Sequence, residues 1–215
     1  MGINERNQKM LEIKKNEIID GMGKALKTKN YESLTIEDVA REAEYSKKTI
    51  YSYFKSKDQI YLELLIKKFE VMNGVFENAV RNSSTNGIDK LKVVGDAYYG
   101  FAKDYPEYVQ AIINYDTNSG LQDSNTSETL KKFNSVTEKS LLILVKTIEE
   151  CIYEGVIKKE VDPVSTAIML WSSMNGLIML EIKKGDYIYK EYGRNIKDIF
   201  DYSFGLLLKA LIKDS

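Results

Sequence analysis

The sequence predicts an all-α chain of about nine helices, with a small N-terminal module over residues 1–55 and a larger helical body over 56–215. Three observations predict it. Only 2 of 215 residues are proline and 13 are glycine, too few for an all-β chain full of tight turns. Apolar residues recur at helical steps of three, four or seven. Several segments open on Ser, Thr or Asp residues able to cap a helix.

The elements follow in order. Residues 10–28 place Leu11, Ile18, Met22 and Ala25 on one side of a first helix. Gly21 and Gly23 each weaken it by about 1 kcal/mol relative to alanine, which points to close packing against a neighbour. Lys29-Asn30 ends it, because Asn tolerates the left-handed cap. Thr35, with Asp38 three residues on, caps a helix over 36–43; Ser46 caps another over 47–54. Two short capped helices joined by a tight turn form a helix-turn-helix pattern. Ser56 and Gln59 make a capping box that opens a long helix over 57–81. Residues 82–87 are a polar breaker, 89–105 form a helix, and Pro106 starts another towards Asp116. After a polar stretch over 117–126, a long helix over 127–155 carries Leu141, Leu144, Val145, Ile148 and Ile152. Asp162-Pro163 puts an N-cap before a proline at the first helical position and opens a helix to about Lys183. A last helix runs over about 195–213.

Composition excludes several functions. Lys+Arg number 31 and Asp+Glu 32, so any nucleic-acid site is a local patch and not a global field. The absence of histidine removes Ser-His-Asp and Cys-His catalysis and histidine-bound zinc. The single Cys151 excludes an internal disulfide and fits a core residue. No metal, cofactor or enzymatic activity is expected. No apolar run reaches about 18 residues, and residues 1–11 lack the apolar stretch of a signal peptide. A cytoplasmic protein without a membrane span is expected.

The informative stretch runs from Leu34 to Lys57. On its second short helix Ile50 and Phe54 lie one turn apart as core anchors. At 100° per residue, Lys48 and Ser52 then lie about 160° and about 200° from Ile50, directly outward, with Thr49 and Tyr51 on the flanks. Residues 45–57 carry Lys47, Lys48, Lys55 and Lys57 and no acid. Lysines in the first turn oppose the helix dipole unless a polyanion compensates. The arrangement suits a helix lying in the major groove, headed by Ser46. Lys47, Lys48, Thr49 and Ser52 face base edges; Tyr51, Tyr53, Lys55 and Lys57, with Thr35, face phosphates. Tyr53 also sits on the Ile50 side, so core packing is its other reading.

Thr-Ile-x-x-Val-Ala followed by Ser-x-x-Thr-Ile-Tyr-x-Tyr-Phe-x-Ser-Lys resembles the DNA-binding domain of the TetR (tetracycline-repressor-like) family over about residues 10–57. The resemblance implies that Thr35, Tyr51, Tyr53 and Lys57 contact the DNA backbone and that Lys47 to Thr49 and Ser52 read bases. It also implies a homodimer on a pseudo-palindromic double-stranded operator, an effector cavity in the C-terminal domain, and repression relieved by a small molecule. Two positions depart from the family pattern: Glu44 stands where the turn usually has glycine, and Asn30 where glycine usually follows the first helix. A non-glycine residue at positive φ costs about 1 kcal/mol or more.

The C-terminal body is rich in aromatic residues. Trp171, Met174, Asn175 and Ile178 share one helix face. With Tyr105, Tyr108 and Ile112 they are the residues assigned to the cavity that the resemblance implies. Asn175 is polar on an apolar segment and needs a ligand, water or backbone partner. The last helix is apolar nearly all round. Ile199, Phe200, Phe204, Leu207, Leu208 and Leu211 are too many for one stripe, which predicts a four-helix dimer interface. Deep burial within one chain is the alternative. Gly176 and Gly205 permit close helix approach. Two other functional classes remain open at this point: a helical protein-interaction module without DNA binding, and an enzyme using the C-terminal pocket.

Overall fold

The computed structural model describes residues 3–82, 87–114 and 127–213. Among them are nine α-helices: α1 (Ile3–Leu26), α2 (Ile36–Ala43), α3 (Lys47–Tyr53), α4 (Lys57–Asn82), α5 (Ile88–Asp104), α6 (Pro106–Asn114), α7 (Ser127–Tyr153), α8 (Pro163–Tyr192) and α9 (Ile196–Leu211). The only β pairing among them is an isolated antiparallel bridge, Ile157 to Ile212. Residues 83–86 and 115–126, where polar breakers and the end of the sixth helix were expected, lie outside the described residues.

The chain forms two compact units. One comprises 1–68 and 114–135, the other 69–113 and 136–215. The sequence places the boundary at residues 55/56, the start of α4; the compact units divide within α4, after Lys68.

In the first unit α1 and α2 touch closely enough to account for Gly21. A Cβ there would lie 2.6 Å from Ala43 Cβ and 2.9 Å from Ala43 N. Ile18, Met22, Val39, Ile50 and Ile60 are buried in this unit's core. The head of α2 is a full capping box: Asp38 N–H donates to Thr35 Oγ1 at 3.3 Å, and Thr35 N–H donates to Asp38 Oδ2 at 3.0 Å. Lys29 Nζ donates to both oxygens of the buried Asp38 carboxylate at 2.8 Å, and Arg41 Nη2 adds a bond at 3.1 Å. Lys29 foremost, then the Thr35 N–H and hydroxyl and Arg41, hold the Asp38 carboxyl well below the usual carboxylate range.

In the second unit Gly95 of α5 receives the ring of Phe204 from α9; a Cβ on Gly95 would lie 2.6 Å from that ring. Asn73 is buried and satisfied, donating from Nδ2 to the Val136 carbonyl at 3.0 Å and accepting from Ser140 Oγ at 2.6 Å. Asp162 caps α8 through the Ser165 N–H at 2.6 Å, with Pro163 in the first turn. Cys151 is fully buried, and burial pushes its thiol up to about 11, which suits a packing residue and not a reactive thiolate.

Three differences from the sequence expectation have physical reasons. Helix α1 begins at Ile3, before residue 10, through a polar first segment that packing periodicity does not mark. Helix α8 continues beyond Lys183 to Tyr192 and stops at Gly193, whose φ of 62° forms a left-handed cap. Asn30 takes no left-handed conformation; its side-chain oxygen accepts from the Ser33 N–H at 3.2 Å in a local turn. Helix α8 is also the one described helix long and apolar enough to cross a membrane by length and composition, although Ser172, Ser173 and Asn175 interrupt its apolar run. Thr166, Ala167, Leu170, Met174 and Ile178 are buried on one of its sides.

The helix contacts set the expected effect of two glycine substitutions. Gly21→Ala destabilises the protein by about 1–3 kcal/mol in urea unfolding, because the backbone of Ala43 cannot yield. Gly100→Ala, mid-helix with open space around it, stabilises by about 0.5–1 kcal/mol in the same assay. Asp38 sets a dependence on pH. Its folded pKa lies below the usual value of 3.8, so its contribution is complete above that value and is lost as pH falls beneath it. Asp38→Asn therefore unfolds more readily than wild type near neutrality. It also loses less stability between about pH 5 and about pH 2, as followed by urea titrations at each pH.

Candidate nucleic-acid interface

The turn between α2 and α3 is built on Glu44, the one described non-glycine residue at positive φ (59°). Its N–H bonds back to α2, and the Tyr45 N–H reaches the Ala40 carbonyl at 2.9 Å. Tyr45 donates its hydroxyl to Glu17 on α1 at 2.5 Å, and that carboxylate raises the phenol's pKa. The glycine-like conformation expected at this turn is therefore kept by a glutamate.

Helix α3 then starts at Ser46, whose Oγ accepts from the Thr49 N–H at 3.1 Å and lies 2.8 Å from the Thr49 hydroxyl. Ile50 and Phe54 are buried, so the opposite face is outward by geometry. Lys48 and Ser52 are exposed there, as is Tyr51 at 55%. Ser52 meanwhile donates to the Thr49 carbonyl at 2.6 Å. Lys48 makes no ion pair among the described residues, whereas Lys47 pairs with Glu37 on α2. Thr49 and Tyr53 are half-buried and Lys55 is exposed. Thr35 is exposed at the head of α2, its hydroxyl donating to Asp38 at 2.9 Å.

Lys57 departs from the outward placement expected of a phosphate ligand. Its ammonium donates to the carbonyls of Tyr31 and Leu34, each at 2.9 Å, and lies 4.2 Å from the centre of the Tyr31 ring.

In the second unit the residues expected around an effector are divided. Met174, Ile178 and Tyr108 are buried; Tyr105, Ile112 and Asn175 are half-buried. Trp171 is 43% exposed, on the edge of the buried face of α8. Asn175 finds its partner in a side chain the sequence did not pair with it. The fully packed Tyr98 of α5 donates its hydroxyl to Asn175 Oδ1. Beside them Tyr99 donates to Glu181 at 3.0 Å. A separate open concavity of about 740 Å³ surrounds the later part of α8, lined by Glu181, Lys184, Tyr187, Lys190 and Asn195 among others; none of the expected effector residues lines it.

The expected dimer set needs a larger correction. Phe200, Phe204, Leu208 and Leu211 are buried within their own unit. Phe204 fills the space at Gly95, and Phe200 stacks on it at 5.8 Å and meets Tyr99 at 5.0 Å. They are core because a glycine on α5 admits α9 closely. Ile199 and Leu207 are half-buried. The exposed apolar residues lie on other faces: Tyr202 and Leu206 on α9, at 70% and 51%, and Val164, Ile168, Met169 and Leu180 on α8. Gly176 and Gly205 stand among them with nothing within 4 Å of a built Cβ. No group of three His, Cys, Asp or Glu side chains is placed to hold a metal among the described residues.

Comparison with known proteins agrees with the geometry. Residues 18–64 match the family described as "Bacterial regulatory proteins, tetR family", and residues 91–203 match the "Tetracyclin repressor-like, C-terminal domain". No curated protein matches the sequence. Among solved structures, the regulator FadR from Bacillus subtilis in complex with stearoyl-CoA is similar, with a TM-score of 0.70 and 21% identity over 91% of this chain and 98% of that one. The MbdR regulator from Azoarcus sp. CIB gives 0.71 and 19% over 93% and 100%. The regulator PfmR from Thermus thermophilus gives 0.67 and 18% over 89% and 97%. At these identities the likeness is one of fold.

Proposed function

The chain belongs to the TetR family of bacterial regulatory proteins, and on that premise we propose that it is a dimeric repressor that binds a pseudo-palindromic operator and is released by a small molecule. The observation that carries the reading is α3: Ile50 and Phe54 bury one side and leave Lys48, Tyr51 and Ser52 outward. Lys47, Lys48, Thr49 and Ser52 read base edges, with Ser46 holding the helix start. Tyr51, Tyr53, Lys55 and Thr35 meet phosphates. In a dimer the two α3 helices then lie about 34–36 Å apart, or at a spacing adjusted by DNA bending.

The dimer forms through the outward faces of α8 and α9 around Ile168, Met169, Leu180, Tyr202 and Leu206, with Ile199 and Leu207 at its margin. Their exposure on apolar helices supports this. The effector is a molecule with a large apolar part that binds near Tyr105, Tyr108, Ile112, Trp171, Met174, Asn175 and Ile178. The mostly apolar character of this set, with Asn175 as its amide, supports it, as does the stearoyl-CoA held by the Bacillus subtilis neighbour. Effector binding shifts a two-state equilibrium away from the DNA-competent arrangement. Displacement of a bound duplex by acyl-CoA thioesters of graded chain length tests the effector class.

The test of the whole reading is selection of bound duplexes from a random pool, followed by salt-titrated affinity measurement. Binding is expected to weaken linearly in log–log with salt; absence of salt-dependent binding to any duplex rejects it. Ser52→Ala and Lys48→Ala are each expected to cost about 1–3 kcal/mol on the preferred site and to relax base preference at one position per half-site. Leu206→Arg is expected to shift the protein from dimer to monomer in sedimentation velocity, whereas Leu208→Arg, at a buried position, unfolds it.

A further inference from the structure

We propose that Tyr45 and Glu17 are positioning residues for α3: the acid on α1 favours DNA binding, although it stands beside a surface for a polyanion, because it fixes through Tyr45 the turn that launches the recognition helix. The inference rests on the DNA-binding reading above. The turn hinges on Glu44, at φ 59° and ψ 34°. Glycine adopts this left-handed conformation freely, whereas a residue with a Cβ is strained there. A glutamate therefore gives the turn a standing tendency to relax. Two residues on, Ser46 caps α3. A change of backbone at Glu44 re-aims that whole seven-residue helix.

Helix α1 meets the chain on both sides of Glu44. Before it, Ala43 packs against Gly21, where a Cβ would lie 2.6 Å from Ala43 Cβ. After it, the Tyr45 hydroxyl donates to Glu17 Oε2 at 2.5 Å. Glu17 and Gly21 are four residues apart, so they stand one turn apart on the same side of α1. The first contact is packing, backed by the buried Ile18 and Met22. The second is a single bond from a half-buried ring to an exposed carboxylate. A hydrogen bond to an ionised acceptor is roughly twice as strong as a neutral one. The Tyr45 N–H meanwhile donates to the Ala40 carbonyl at 2.9 Å. Residue 45 is thus tied through its backbone to α2 and through its side chain to α1, immediately after the strained position. Charge alone predicts the opposite sign, since removal of an acid beside a DNA surface strengthens binding.

The full-length protein and its best selected duplex supply the test, at a temperature well below unfolding, where a loss of global stability alone leaves affinity unchanged. Tyr45→Phe keeps the ring and removes only the hydroxyl. It is expected to weaken binding by about threefold to tenfold at the wild-type log–log salt slope. Glu17→Ala is expected to weaken binding by a similar factor, and Glu17→Gln, which keeps an acceptor for the hydroxyl, by less. The double variant Tyr45→Phe with Glu17→Ala is expected to bind no worse than the weaker single variant, because both remove one bond. In a Glu44→Gly background the turn no longer needs the tie, and Tyr45→Phe is expected to cost less than about twofold. Tighter binding by Glu17→Ala, unchanged affinity in Tyr45→Phe, additive losses, or an undiminished Tyr45→Phe loss beside Gly at 44 each overturn the proposal. If the wild-type protein binds no duplex, the DNA-binding reading falls and takes this inference with it. If wild type binds and Glu17→Ala binds more tightly, the inference alone falls.

Discussion

A helix of seven residues has no stability of its own, because nucleation is unfavourable and short helices are marginal in water. Helix α3 exists because Ile50 is buried along its length and Phe54 is buried immediately after its end. That burial does more than stabilise. Two anchors one turn apart allow only one rotation of so short a helix. The same contact that makes α3 a helix therefore decides that Lys48 and Ser52 face out. The Ser46 cap and the left-handed Glu44 set where the helix begins. The strained backbone at Glu44 is tolerated because Glu44 itself is bonded to α2 and Tyr45 after it to both α1 and α2.

Electrostatics at this surface are local. The chain as a whole is nearly neutral, yet residues 45–57 hold four lysines and no acid. The structure sorts these lysines by what their ammonium groups touch. Lys47 leans on Glu37 across the turn. Both partners are largely exposed, so the pair is worth little in water. An exposed pair of this kind opens with little loss. Lys57 is different in kind, because its partners are two carbonyls and an aromatic ring that no solvent ion replaces. Equal formal charge in the sequence thus corresponds to unequal availability.

What the sequence reveals is mostly local. The caps at Thr35, Ser46 and Asp162 are short-range hydrogen bonds among residues three apart, and the structure forms each of them. The outward set on α3 follows from a 100° rotation and needs no tertiary knowledge. What it conceals is pairing across long separations. Gly21 advertises close packing, but only the fold supplies Ala43. Asn175 advertises a need for a partner, but Tyr98 lies 77 residues away. The same limit misassigned α9. A helix apolar nearly all round leaves open which side meets its own chain, and the answer lay in Gly95, on a different helix. The extension of α8 to Tyr192 carried a readable signal in Gly193, a residue type that commonly ends helices in this conformation.

The two bare glycines on α8 and α9 bear on what those helices are for. Glycine in an exposed helix interior costs about 0.5–1 kcal/mol against alanine. Gly21 and Gly95 offset that cost inside their own units, where a methyl group would collide with a neighbour. Gly176 and Gly205 meet nothing within 4 Å, so the isolated chain gives them no compensation. Both lie on helices whose outward residues include Ile168, Met169, Leu180, Tyr202 and Leu206. Apolar side chains left in water and small residues left without neighbours are separate penalties. A second pair of helices packed against these faces removes both at once, which is why the dimer reading belongs on the outward faces of α8 and α9 and not on the phenylalanines buried beneath.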